Sequence, residues 1–317
     1  MKHNFHTHTS RCQHAVGTDE AYVEAALDAG FDVLGFADHA PFPFANGFVS
    51  GIRMPLDQLA DYIHSVHALQ QRYAGQLEIR LGLESEYFPR YHDHLLRMRE
   101  QGIGYYILGQ HYADSEEDNP YIGFECQTDE GVLRYAQSAV AAMRTGLFCY
   151  IAHPDLFMRH RTDDQFNHAC EEAADMLCQC AKEQHMPIEY NLLGLSSQME
   201  GHTRGYPSAP FWEYARKWHN DVILGVDAHD PEHLKNHRVW QAGIDNVRAL
   251  GYHLVEIGQI PIRVHGGYAS LKDIVINKMI PQSANIVNAR LPYAVIFQVF
   301  RVMRVHTEDD VIMPFSG

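Results

Sequence analysis

Short apolar runs alternate along the chain with longer stretches in which apolar positions recur at helical spacing. Between them lie polar segments with turn-forming residues. The repeated order of strand and then helix favours a parallel sheet covered by helices, which closes into an α/β barrel of about seven strands. The predicted strands are Lys2–His6, Asp32–Asp38, Leu77–Glu84, Tyr105–Gln110, Leu147–His153, Pro187–Asn191 and Asp221–Asp227. The predicted helices are 19–29, 56–73, 92–101, 129–145, 164–185, 208–219 and 238–250.

The first predicted helix has recognisable signals at both ends. Thr18 can cap its N-terminus, and Asp19 and Glu20 suit the positive end of the helix dipole. Gly30 suits the exit from the helix, where a left-handed residue is common.

The last part of the chain has a different pattern. We expect a barrel over residues 1–262 and a C-terminal extension of unknown role over 263–317. Within it, Asn285–Val305 is apolar with interleaved arginines. This segment could be a helix on the barrel, a subunit contact or a poorly ordered extension, so the oligomeric state stays open.

Composition and charge narrow the class of protein. The 317 residues are 46% apolar and 21% charged, which suits a globular protein with a large core. There is no apolar run long enough for a membrane span and no signal-peptide stretch, so we expect a cytoplasmic protein. The six cysteines form no CxxC pair, and we expect them to be reduced thiols. A net charge of −15 argues against nucleic-acid binding but allows a small phosphorylated metabolite as substrate.

The 22 histidines provide the strongest chemical signal. Six of the seven predicted strands end in imidazole or carboxylate side chains, and parallel strands in a barrel bring their carboxyl ends to one face. A single HxH motif is often a pair of surface histidines, but six such strand ends are improbable by accident. Imidazole and carboxylate together favour transition-metal ions. The motifs are His6-Thr7-His8, Asp38-His39, Glu84-Ser85-Glu86, His111, His153-Pro154-Asp155 and Asp227-Ala228-His229.

In order, spacing and context these motifs resemble those of the PHP phosphoesterases, and the stretch from His3 to Pro41 resembles the opening of their histidinol-phosphatase branch. The resemblance covers about residues 3–262. It implies a distorted (β/α)7 barrel with three divalent metal ions, either zinc, iron or manganese. The implied ligand sets are His6, His8, Glu84 and Asp227 for the first ion, Glu84, His111 and His153 for the second, and His14, His39 and His229 for the third.

The implied activity is hydrolysis of a phosphate monoester, with L-histidinol phosphate as the expected substrate. Asp38, His39 and Arg161 are the candidate catalytic residues, and a metal-bound water is an alternative proton donor. Asp38 and Asp155 are also expected to orient ligand histidines, and Glu86 or Asp155 could bind the substrate amine. The candidate substrate-binding residues are Arg53, Arg159, Arg161 and Asn191.

Other interpretations stay open at this point. A PHP phosphoesterase could act on a nucleotide, a nucleic-acid end or phosphotyrosine, and the acidic charge argues against the polymers. The chain could also bind metals without being an enzyme. Cys12 is expected to pack in the core, with metal ligation as the alternative.

Overall fold

The computed structural model describes residues 1–45, 47–202 and 205–255, and the antiparallel strands Pro261–Val264 and Gly267–Ser270. The predictions for Asn285–Val305 and for most of the C-terminal extension lie outside the described residues. Within the described part of the chain, no helix is both long and apolar enough to cross a membrane.

Seven strands form two parallel sheets, with the orders β1-β2-β3-β4 and β5-β6-β7. All residues of β2 are buried, as expected for a parallel strand covered on both faces. The strands are β1 His3–Asn4, β2 Val33–His39, β3 Glu78–Ser85, β4 Tyr105–Leu108, β5 Ile188–Asn191, β6 Asp221–Gly225 and β7 His253–Leu254. The first six of them match predicted runs.

The two sheets are joined into one curled parallel arrangement. Single parallel bridges link Ile151 to Leu108 and to Ile188, and a third links Thr7 to Ala228. The predicted strand Leu147–His153 therefore lies between β4 and β5 but pairs regularly only at Ile151. β7 has no counterpart among the predicted strands, so the seven regular units expected from the sequence are not reproduced as such.

The helices cover the outside of the sheets. The described residues contain a counterpart of every predicted helix, usually shorter by a few terminal residues. Thr18 caps the first helix by accepting from the Ala21 amide at 3.2 Å, and Gly30 follows it with φ 73°. The helices are α1 Asp19–Asp28, α2 Leu59–Arg72, α3 His92–Glu100, α4 Ile122–Glu125, α5 Asp129–Arg144, α6 His168–Glu183, α7 Leu192–Met199, α8 Ala209–Ala215, α9 Pro231–Leu234 and α10 His237–Ala249. The helices α4, α7 and α9 were not predicted, because four to eight residues are too few to show a helical period.

Tyr105 ties the first strands together from inside the curled sheet. Its hydroxyl donates to the backbone carbonyls of Phe5 at 3.0 Å and Phe36 at 2.8 Å. A Cβ atom at Gly82 would lie 2.3 Å from the Tyr105 ring, so this position on β3 must be glycine. This packing holds β3 in position at Gly82, two residues before Glu84. The side chain of Glu84 lies at the centre of the candidate metal site.

Candidate metal centre

The carboxyl ends of the strands converge on the side chain of Glu84, which is 1% exposed. Five imidazoles from four other segments face its two oxygens. Oε2 lies 3.4 Å from His6 Nε2, 3.4 Å from His8 Nε2 and 3.2 Å from His39 Nδ1. Oε1 lies 2.9 Å from His153 Nε2 and 3.5 Å from His111 Nε2.

A second carboxylate, Asp227, completes the inner part of the cluster. Its Oδ1 lies 3.4 Å from His6 Nε2, 3.3 Å from His8 Nε2 and 3.3 Å from His229 Nδ1. Nearer to solvent, His229 Nε2 and His14 Nε2 are 2.9 Å apart. The structure therefore brings all nine predicted ligands into one cluster.

The backbone at two of these residues is unusual. His153 has φ 30° and Asp227 has φ 53°, in the left-handed region that residues other than glycine rarely adopt. Such conformations persist where surrounding structure enforces them, and they concentrate at functional sites.

The cluster fits divalent metal ions. Buried imidazole nitrogens with no hydrogen-bond partner are costly, and metal coordination would satisfy them. Among the described residues, five sets of side chains bring three ligand atoms within 4.8 Å of one another, and four of them offer only the nitrogen and oxygen donors that zinc, iron and manganese bind. Within the part of the chain that the structure describes, the buried imidazole nitrogens without a hydrogen-bond partner are His6 Nε2, His8 Nδ1 and Nε2, His39 Nδ1 and His153 Nδ1. The four nitrogen and oxygen sets are His6–His8–Glu84, His6–His153–Asp227, His39–Glu84–His111 and His14–His39–His229, and the fifth set is His8–Cys12–His229.

The electrostatic environment differs across the cluster. Burial lowers the pKa of His6, but the charges of Glu189, Asp227 and Glu84 outweigh it and raise the pKa well above its usual value. Burial and the neighbouring charge of His8 lower the pKa of His229 to about 3. For Glu84, burial raises the pKa, but the surrounding imidazoles outweigh it and hold the pKa well below its usual value.

An open cavity of about 340 Å³ lies against the cluster. Arg159 lies in its wall, where the guanidinium donates to the Tyr206 hydroxyl at 3.3 Å. The same guanidinium lies 5.6 Å from the centre of the Tyr121 ring and 5.9 Å from that of Tyr206. Within the described residues Arg159 forms no ion pair, which leaves its charge available to a ligand. Beyond the metal-ligand candidates, the lining residues are Ile52, Tyr121, Arg159, Leu193, Tyr206 and His233.

Three of the predicted substrate-binding residues lie elsewhere and have other partners. Arg53 is 2% exposed and contacts both oxygens of Glu86 at 3.0 Å and Glu116 at 2.7 Å. The Arg161 guanidinium donates to the Cys126 carbonyl at 2.8 Å and to Asp129 at 2.9 Å.

Asn191 caps α7 by accepting from the Gly194 amide at 2.8 Å, and its Nδ2 donates to Glu189 and Asp227. None of Arg53, Arg161 and Asn191 lines the cavity, so their role in substrate binding, and that of Arg161 in catalysis, stays a prediction. The sequence shows that a residue follows a strand, but it does not show where a long side chain turns.

The two carboxylates Glu86 and Asp155, each two residues after a predicted ligand, have different kinds of contacts. Glu86 lies 3.1 Å from His111 Nδ1, so it orients a predicted ligand. Asp155 accepts from the Ser208 amide at 2.6 Å and from Trp212 Nε1 at 3.0 Å. Both side chains are buried and neither lines the cavity, so binding of the substrate amine by either carboxylate stays a prediction.

Asp38 accepts hydrogen bonds from the Thr9 hydroxyl and from the His39 amide, the latter at 2.8 Å. Its Oδ1 lies 3.7 Å from His8 Nδ1, a position that suits orientation of the ligand loop. Cys12 is buried, and its sulfur lies within 4.8 Å of ring nitrogens of His8 and His229.

Sequence reasoning missed several residues around the site. Tyr121 and Tyr206 lie in loops whose path is not visible in the sequence. Glu189 is fully buried inside the sheet and contacts His6. The available signal was a charged residue inside a short apolar strand, because buried carboxylates usually have a specific partner.

Comparisons with known proteins agree with the site. The family model described as the PHP domain matches residues 4–193. A protein of Deinococcus radiodurans named "Probable histidinol-phosphatase" is 32% identical over 231 residues, which cover 71% of this chain and 85% of that protein. The histidinol-phosphatase of Bacillus subtilis is 36% identical over 99 residues, covering 30% of this chain and 37% of its own length.

A solved structure shows the same fold. The histidinol phosphate phosphatase of Lactococcus lactis, crystallised with zinc, L-histidinol and phosphate, superposes with a TM-score of 0.62 at 16% identity. The match covers 85% of this chain and 99% of that one. Together with the match to the family model and the Deinococcus relative, the converging imidazoles and carboxylates lead to one conclusion: the chain belongs to the PHP domain family.

Proposed function

We propose that this chain is a metal-dependent phosphatase that hydrolyses L-histidinol phosphate to L-histidinol and phosphate in histidine biosynthesis. The observation that supports it most is Glu84, surrounded by five imidazoles at one end of a cavity whose wall contains Arg159. The names of the relatives from Deinococcus and Bacillus support the choice of substrate.

The proposal includes three divalent ions of zinc, iron or manganese. Such ions, when bound, lower the pKa of water and neutralise phosphoryl oxygens. We further propose that the curled sheet is the distorted (β/α)7 barrel, with Leu147–His153 as its irregular strand. The ligands would be His6, His8, Glu84 and Asp227 for the first ion, Glu84, His111 and His153 for the second, and His14, His39 and His229 for the third.

Arg159 has the chemistry to bind the phosphate of the substrate. Its planar guanidinium can donate two parallel hydrogen bonds to phosphate oxygens. The rings of Tyr121 and Tyr206 and the hydroxyl of Tyr206 limit where the guanidinium can lie. The same rings offer an aromatic wall against which the imidazole of the substrate can pack.

Residues outside the cavity orient the side chains of the proposed metal ligands. Glu86 contacts Nδ1 of His111 and thereby directs Nε2 towards Glu84. Arg53 holds Glu86 in place through both carboxylate oxygens. Arg53 would then affect catalysis through His111 rather than by binding phosphate.

A direct assay tests the proposal. Protein reconstituted with Zn²⁺, Mn²⁺ or Fe²⁺ is expected to release phosphate from L-histidinol phosphate with a higher kcat/KM than from nucleoside monophosphates, a phosphorylated DNA end or a phosphotyrosine peptide. A higher kcat/KM for one of the other substrates would show that L-histidinol phosphate is not the preferred substrate. Loss of all hydrolysis with full metal loading would favour a metal-binding protein without this activity.

A further inference from the structure

Glu189 lies on β5, and no proposed metal ligand lies on this strand or directly after it. Its side chain is fully buried, and Oε2 lies 2.8 Å from His6 Nδ1. Oε1 accepts from Asn191 Nδ2 at 2.9 Å and lies 3.4 Å from the backbone amide of His153. The carboxylate therefore contacts two proposed ligand residues, His6 and His153.

A third proposed ligand is connected through Asn191. The Asn191 amide group also donates to Asp227 Oδ2 at 3.1 Å. Its Oδ1 accepts from the Gly194 amide, which fixes the orientation of the side chain. Glu189 must consequently present an acceptor to Asn191, and both of its oxygens serve as acceptors in this arrangement.

The neighbouring strand leaves room for this carboxylate. A Cβ atom at Gly225 on β6 would lie 2.1 Å from Glu189 Oε2. The carboxylate occupies the space that a side chain at Gly225 would need, so packing holds it in one position.

The counterion of Glu189 in the metal-free protein is protonated His6, and metal binding to His6 would remove that charge. Among the described residues, no lysine or arginine pairs with Glu189, and His6 is its charged partner only when protonated. An unpaired buried carboxylate is costly. Dications held by the adjacent ligands would compensate this charge.

We propose that Glu189 is a positioning residue of the metal centre. By accepting a hydrogen bond from His6 Nδ1–H, it fixes the tautomer of His6 in which Nε2 carries the lone pair. That nitrogen is the buried atom without a hydrogen-bond partner that faces Glu84 and Asp227. The negative charge of Glu189 also favours retention of the cations. The inference concerns the metal centre and does not depend on the identity of the substrate.

The test is the affinity for Zn²⁺ in Glu189→Gln, measured by competition with a chromogenic chelator. Glutamine keeps the volume beside Gly225 but removes the charge and replaces one acceptor with a donor. Residues that orient metal ligands typically contribute about 10–100-fold in metal affinity. We expect a loss in this range, with a smaller metal-induced rise in Tm than in the wild type.

Asp155→Asn is the matched control. Asp155 is also a buried carboxylate, but its hydrogen bonds go to Ser208 and Trp212. Its substitution should lower the Tm of the metal-free and metal-loaded proteins alike and leave the Zn²⁺ affinity unchanged. If Glu189→Gln behaved in the same way, or bound Zn²⁺ as tightly as the wild type, the inference would be overturned.

A measurement on the wild-type protein covers the case in which the variant does not fold. In ¹⁵N NMR of the zinc-loaded protein, His6 is expected to show a protonated Nδ1 and a metal-bound Nε2. The signals are assigned by their loss in His6→Asn. A metal-bound Nδ1 would refute the role of Glu189 even if the phosphatase activity were established.

Discussion

At the scale of single residues, Glu84 lies at the centre of the proposed metal site, and its two oxygens face different imidazoles. Eight of the nine ligand candidates stand in motifs at the ends of predicted strands, where residue type and position are both visible in the sequence, whereas His14 and the grouping of the nine follow from the resemblance to the PHP phosphoesterases. The contacts of Arg53 and Arg161 could not be predicted from the sequence. Their guanidiniums are bound by Glu86, Glu116 and Asp129, and these partners come from segments distant in sequence.

Glu84 and Glu86 provide a matched pair two residues apart. Glu84→Gln should abolish the bridging role, so activity should fall by far more than in Glu86→Gln. Glu86 acts through His111, and the loss in Glu86→Gln should stay near the 10–100-fold typical of residues behind a ligand. Phosphate release and metal content measured on both variants check this. Equal losses of activity in the two variants would contradict the proposal that Glu84 binds two metal ions.

Arg159 should act on substrate binding. Hydrogen bonds to charged groups contribute about 1.5–3 kcal/mol, so Arg159→Met should lower kcat/KM by about 10–150-fold while the metal content stays constant. Arg161→Gln is the comparison, because its guanidinium has protein partners away from the cavity. That variant should lose stability with KM unchanged. A rise in KM in Arg161→Gln but not in Arg159→Met would reverse the assignment.

At the scale of elements, glycines on neighbouring strands make room for the buried carboxylates. A Cβ atom at Gly109, just beyond β4, would lie 1.9 Å from Glu84 Oε1, as a Cβ at Gly225 would crowd Glu189. The sequence predicts the strands themselves from their apolar runs. It does not reveal these pairings, because a glycine in a strand has several common explanations.

Gly109→Ala tests this packing. The added methyl group should displace the Glu84 carboxylate, and overpacking of this kind typically costs about 1–3 kcal/mol in the free energy of unfolding. We expect a loss of bound metal together with the loss of stability. Gly51→Ala is the control, since nothing lies within 4 Å of a Cβ atom there. Normal metal content in Gly109→Ala would contradict the proposed contact. Urea unfolding and elemental analysis give the two quantities.

At the scale of the whole molecule, strand order brings distant segments to one face. The fold class could be predicted from the alternation of strands and helices. The irregular geometry of Leu147–His153 could not be predicted. This segment forms hydrogen bonds with both neighbouring strands, but its only β-bridges among the described residues are at Ile151, and its apolar run does not differ from that of a regular strand. Because the folded chain brings many ionisable groups into one cluster, the metal affinity of the site should depend on pH.

The direction of that response follows from His6 and His8. Burial lowers their pKa values, but nearby carboxylates outweigh it and raise both well above the usual value. The metal-free protein therefore holds protons on these imidazoles near neutral pH, and metal ions must displace them. We expect Zn²⁺ affinity to rise with pH from about 6 to 8, with net proton release on binding. Calorimetry in buffers of different ionisation enthalpy checks this, and an affinity independent of pH would be evidence against it.

The most direct test of the central claim is the metal content of the intact protein purified without chelators. We expect about three zinc, iron or manganese ions per chain, with phosphatase activity that disappears on their removal and returns in proportion to metal re-added. Fewer than about one ion per chain after reconstitution, or full activity in the metal-free protein, would contradict that claim.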